Sequence, residues 1–107
     1  MTMAEYQGIN VAELQAQLTK GNICLVDVRT DAEIARGFIS GAVKLPLHLL
    51  PIRLHELDSK MSTAFYCQIG GRSAQAAAFA AAQGFAEVYN LQGGIIAWAQ
   101  AGRPVAQ

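Results

Sequence analysis

The chain reads as an α/β protein, a three-layer α/β/α arrangement around a mostly parallel sheet of four to five strands. Two observations predict this class. Short apolar runs rich in branched side chains, such as Ile23-Cys24-Leu25-Val26-Asp27-Val28, have the look of strands covered on both faces. These runs alternate with helical patterns at a spacing that suits right-handed βαβ crossovers.

The elements follow in order. Residues 6–9, Tyr-Gln-Gly-Ile, offer a short first strand. Asn10 and Glu13 have the spacing of a capping box, and Val11, Leu14 and Leu18 share one stripe, so 11–20 predicts a helix stopped by Gly21. A strand over 23–28 comes next. Thr30 and Glu33 repeat the capping logic for a short helix ending near Gly37. Residues 42–45 form a second short strand closed by Pro46, and 49–57 a helix with Pro51 in its first turn. After a strand over 63–67 and a loop, Ser73 is placed to cap a helix through Gln83. The alanines of that helix allow close approach to the sheet, and Gly84 suits its end. A strand over 87–91 leads through Gly93 and Gly94 into a last helix, 95–100, anchored by Trp98.

Length and composition narrow the function classes. At 107 residues the chain fits one domain, 1–107, and with 52% hydrophobic against 15% charged residues it packs a core rather than staying disordered. Eight basic and eight acidic residues cancel, so no global field draws in nucleic acid or an anionic membrane. The start, Met-Thr-Met-Ala-Glu-Tyr-Gln-Gly, has neither the basic region nor the apolar run of a leader or a membrane span, and a cytoplasmic location is the expectation. High apolar content at neutral charge is compatible with either a monomer or a homodimer. Two cysteines without a CxxC pair, with His48 and His55 the only histidines, argue against a structural disulfide or a metal site.

The chemistry concentrates in Thr63-Ala-Phe-Tyr-Cys67-Gln68-Ile69-Gly70-Gly71-Arg72-Ser73. A strand runs out at Cys67 into a glycine-bearing loop and a helix start, and open α/β sheets bind ligands at the carboxyl ends of their strands. Such a turn aims backbone N–H groups and the positive end of the helix dipole at the loop's hollow, which favours an anionic sulfur. Gly70 and Gly71 can supply left-handed backbone, and Arg72 adds a positive charge. Cys67 is therefore the candidate nucleophile, since the thiolate is the reactive form. Cys24, in the middle of a strand, reads as a small core hydrophobe.

Several segments together resemble the rhodanese family of sulfurtransferases over nearly the whole chain. They are Leu25 to Arg29 with Glu33, Gly37 to Ala42, Tyr66 to Ser73, and Leu91 to Trp98. The resemblance implies a rhodanese-like fold and a sulfurtransferase, with Cys67 carrying a persulfide and Gln68, Ile69, Gly70, Gly71, Arg72 and Ser73 as its cradle. It also implies structural roles near the site for Asp27, Arg29 and Glu33. A small donor, thiosulfate or a persulfide, would pass sulfur to cyanide or to a thiol, including a protein thiol, with neither metal nor organic cofactor. Two positions depart from the family's habit: Ile69 replaces a frequent serine, and Phe38 a common histidine, the latter read as a packing change. With Arg72 the loop's one basic residue, thiosulfate is expected to be a poor donor; Arg36, Lys44 and Arg53 are the candidates for a second charge, though each reads first as a solvated surface residue. The alternatives are a non-catalytic protein-binding module and, because relatives of this fold cleave oxyanion esters with a longer loop, a phosphatase or arsenate reductase.

Overall fold

The computed structural model describes residues 5–107; the first four, part of the opening segment read above, lie outside them. Five strands form one sheet, β1 (Gln7–Ile9), β2 (Ile23–Asp27), β3 (Val43–Lys44), β4 (Ser62–Tyr66) and β5 (Val88–Leu91), in the order β1-β5-β4-β2-β3. Every pairing between them is parallel, and β4 is central. The helices are α1 (Val11–Lys20), α2 (Asp31–Ile34), α3 (Leu50–Arg53), α4 (Gly71–Ala82) and α5 (Gly94–Gln100).

Strand alternation sorts the core into two layers. Val26, Phe65 and Val88 face one side with Leu50 and Leu54 around α3 and with Ala76, Ala77 and Ala80 of α4. Leu25, Ala64, Tyr66 and Leu91 face the other side with Leu14 of α1 and Ile95 and Trp98 of α5. The alanine face of α4 lets that helix lie close to the sheet, as its composition predicts. Both capping boxes form: Asn10 and Glu13 close the start of α1, and Thr30 and Glu33 that of α2. The indole of Trp98 is buried and donates to the Pro104 carbonyl at 2.9 Å.

Several strand and helix ends differ from the sequence reading by a residue, and three differences matter for the architecture or the site. The stretch over 49–57 is no continuous helix but a 3-10 turn at Leu47–Leu49, the single turn of α3 and a second 3-10 turn at Leu54–Glu56. Pro51 removes an amide donor there, and the apolar residues anchor each turn separately. The central strand stops at Tyr66, one residue before Cys67. Finally, α4 starts at Gly71 behind Gly70, so Ser73 lies within the helix rather than capping it.

At the carboxyl end of β2, Asp27 and Arg29 are both buried and pair at 2.7 Å. Arg29 Nε donates to Asp27 Oδ1 at 3.0 Å, and a terminal guanidinium nitrogen donates to the Gly37 carbonyl at 2.7 Å. The guanidinium also lies over the Tyr66 ring, 5.6 Å from its centroid, while the Tyr66 hydroxyl accepts from the Ile39 amide at 3.0 Å. Asp27 and Arg29 thus pair with each other, while Glu33 pairs with Arg72. This network ties the segment after α2 to the two central strands. Removing one partner strands a charge out of reach of water, so Asp27→Ala is expected to cost about 3–5 kcal/mol in urea denaturation; a loss below about 1 kcal/mol would show that the pair is not a structural tie.

Candidate active site at the end of the central strand

Cys67 is the first residue beyond β4, and it is 1% exposed. Three groups surround its Sγ: the Gly70 amide at 3.1 Å, the Ser73 amide at 3.4 Å and the Ser73 hydroxyl at 3.3 Å. Gly70, at φ 118°, makes the turn that brings these amides round, while Gly71 keeps ordinary helical backbone as the first residue of α4. Burial pushes the thiol up, but the hydrogen bonds from the Ser73 hydroxyl and from the amides of Ser73, Gly70 and Ile69 outweigh it, and the net direction is down. The twelve-residue α4 adds the positive end of its dipole. Cys24 is the control inside the same molecule: half-buried in β2 without such donors, its thiol is pushed up by burial.

The remaining loop residues divide by direction. Gln68 and Ile69 point outward, and Ile69 is 69% exposed, so it does not pack down against neighbouring loops. Ser73 is fully buried. Arg72 makes no hydrogen bond to the sulfur and grips Glu33 of α2 with two bonds, 2.6 and 2.7 Å. The Glu33 carboxyl is held down at about 2, chiefly by that guanidinium. Glu33 therefore joins the loop to α2.

None of the three candidates for a second charge reaches the sulfur. Arg53 pairs with Glu56 at 2.9 Å, and Lys44 sits 4.2 Å over the Phe38 ring, which makes Phe38 a packing residue. Arg36 lines a hollow of about 420 Å³ together with Glu33, Gln68, Ile95 and Val105, beside the loop but not at the sulfur. His48 and His55 line separate hollows, and no group of three metal-ligating side chains exists among the described residues.

Two features of the site escaped the sequence reading in whole or in part. Asn90 of β5 places Oδ1 2.5 Å from the Ser73 hydroxyl, and its Nδ2 donates to the Gly70 carbonyl at 3.2 Å. A carboxamide inside a strand is the only signal that could have marked it. Gly93 and Gly94, read above only as the turn into the last helix, bring the first turn of α5 onto the loop: the Ile95 amide donates to the Cys67 carbonyl at 3.0 Å and the Ile96 amide to that of Gln68 at 3.3 Å. A Cβ on Gly94 would stand 2.6 Å from the Cys67 carbonyl oxygen, which is why the position has none.

The Glu33 pair has a pH signature. A carboxyl lowered from 4.5 to about 2 contributes stability that is complete above the unfolded value and disappears as pH falls through the folded one. The melting temperature of wild type should exceed that of Glu33→Gln above pH 4.5, by a modest margin because solvent screens the pair, and the gap should close as pH falls to about 2. A gap independent of pH would show that the pair does not set it.

Residues 10–101, which carry every part of this site, match the rhodanese-like domain. A sulfurtransferase of Allochromatium vinosum is 50% identical over 84 residues, 78% of each protein. A thiosulfate sulfurtransferase of Ectopseudomonas mendocina is 35% identical over 96 residues, 90% of this chain and 87% of the relative. The crystal structure of a rhodanese-related protein from Thermoplasma volcanium superposes with a TM-score of 0.87 at 31% identity, covering 94% of this chain and 98% of its own. Sequence and fold agree along the length that builds the cradle, and the chain belongs to the rhodanese family.

Proposed function

We propose that this protein is a sulfurtransferase that carries sulfane sulfur as a persulfide on Cys67. One observation supports it above the others: a buried sulfur whose ionisation is favoured, in spite of burial, by amides turned inward around it. The Cys67 thiolate attacks the outer sulfur of a small donor; the new S–S bond forms as the donor's own S–S bond breaks, and the donor leaves as a thiolate or as sulfite. An acceptor thiolate, or cyanide, then attacks the terminal sulfur, and Cys67 departs as the thiolate that began the cycle. Each step is a displacement at sulfur, so the cycle calls for neither metal nor organic cofactor. A single domain, 1–107, suffices for it.

Phosphoester or arsenate chemistry fits less well. Four residues separate Cys67 from Arg72, and Arg72 is already held by both oxygens of Glu33, so the loop's own guanidinium is engaged rather than free for an oxyanion. The same pairing disfavours thiosulfate, a dianion, against an organic persulfide. A pure binding module has no use for a thiol polarised in this way. The exposed Ile69 beside the cradle suits an acceptor cysteine presented on a protein.

Intact mass of the reduced protein after exposure to glutathione persulfide should rise by one sulfur atom, revert on addition of cyanide, and stay unchanged in Cys67→Ser. Thiosulfate should load the protein more slowly. Failure of both donors would remove the sulfurtransferase reading, whereas faster loading by thiosulfate would remove only the donor preference.

A further inference from the structure

The hydroxyl of Ser73 has one proton and three neighbours able to accept it: Cys67 Sγ at 3.3 Å, the Gly70 carbonyl at 3.2 Å and Asn90 Oδ1 at 2.5 Å. The Gly70 carbonyl already receives the Ala74 amide at 3.1 Å and Asn90 Nδ2 at 3.2 Å, which occupy its two lone pairs. Because that carbonyl can only accept, the amino group of Asn90 must face it, and Oδ1 is thereby turned to Ser73. The contest for the proton is then between Asn90 and the sulfur. With the proton on Asn90, Ser73 shows the sulfur only lone pairs, an arrangement that receives S–H from a neutral thiol. With the proton turned to the sulfur, a thiolate or persulfide anion gains a charge-assisted bond and Asn90 Oδ1 loses its donor.

The geometry points to Asn90 as a positioning residue of the site, which decides where the single hydroxyl proton of Ser73 goes and so governs how firmly the cradle holds an anionic sulfur on Cys67. The proposal rests on Cys67 as the reacting thiol but not on sulfur transfer itself. No other titrating group competes for this proton. Arg72 of α4 is held by Glu33 of α2, and Asp27, Arg29 and Tyr66 form their own network at the ends of β2 and β4; none of these hydrogen-bonds to Ser73 or Asn90. Asn90 is half-buried at the end of a strand, so its replacement leaves both core layers in place.

The test is the pH dependence of Cys67 alkylation by iodoacetamide, read on the Cys67 peptide by mass spectrometry so that Cys24 does not contribute. In Asn90→Ala the proton is released to the sulfur, which as an anion outcompetes the freed lone pair of Gly70, and the midpoint should fall by about 0.5 to 1 pH unit. In Asn90→Asp a stronger acceptor carrying negative charge should raise it. In the Ser73→Ala background Asn90→Ala should no longer lower it. If Asn90 merely supported the loop, both substitutions would loosen the amides and raise the midpoint together; that result, or an unchanged midpoint in Asn90→Ala, overturns the proposal. Thermal melts of each variant confirm folding, and Asn90→Ser replaces Asn90→Ala should the latter fail to fold, with the same direction expected. Sulfur loading from glutathione persulfide is measured separately, so a failed titration and a failed sulfurtransferase reading are told apart.

Discussion

A turn that gives its amides to a sulfur leaves its carbonyls to be paired by other parts of the chain, and much of this site is built to meet that constraint. The loop after β4 gives the Gly70 and Ser73 amides to Cys67 Sγ, and a buried carbonyl of the loop left without a donor would cost about 1–3 kcal/mol. Three of these carbonyls receive donors from α4, α5 and β5. The first turn of α5 supplies donors to Cys67 and Gln68, while Ala74 of α4 and Asn90 of β5 supply those to Gly70. The cradle is therefore held as much from behind as from within. Its geometry depends on β5 and α5, which contribute nothing directly to the sulfur.

This explains features that otherwise look unrelated. Gly94 lacks a side chain because α5 must bring its amides against the Cys67 carbonyl, and left-handed backbone at φ 60° aims them there. Ser73 is buried inside α4 rather than capping it because its hydroxyl serves the sulfur and Asn90, leaving the helix start to Gly70. The two cysteines diverge for the same reason. Both are withdrawn from water, yet only Cys67 meets donors in exchange, so burial alone raises one thiol while the other is lowered.

Local signals made most of the fold legible. The capping pairs Asn10/Glu13 and Thr30/Glu33, the branched runs of the strands and the glycines at helix ends each depend on residues within a few positions, and those elements form where such signals stand. The stretch over 49–57 was misread because its apolar spacing resembles a helix, whereas each of its turns is fixed by what it packs on. The Cys67 loop was recognisable from glycines next to a strand end. Its supports were not: Arg72 meets Glu33 from 39 residues away and Ser73 meets Asn90 from 17, separations that carry no periodic signal. Arg72 in particular reads from sequence as a charge for the sulfur, and folding instead gives it to a carboxylate.

That reassignment determines the electrostatic character of the site. With Arg72 matched by Glu33, the groups that touch Sγ are neutral: two amides and a hydroxyl. Oriented dipoles at fixed positions in a dry site stabilise a single anionic atom strongly and at short range, and salt screens them little. A free guanidinium would attract anions of any shape from farther away, and phosphate or sulfate would occupy the site as readily as a sulfur donor. By giving that charge to a carboxylate that also closes the capping box of α2, the fold obtains a structural tie and leaves the sulfur to uncharged donors. Two of the three hydrogen bonds to the sulfur come from the backbone, so the side chains that matter most are those that hold that backbone in place.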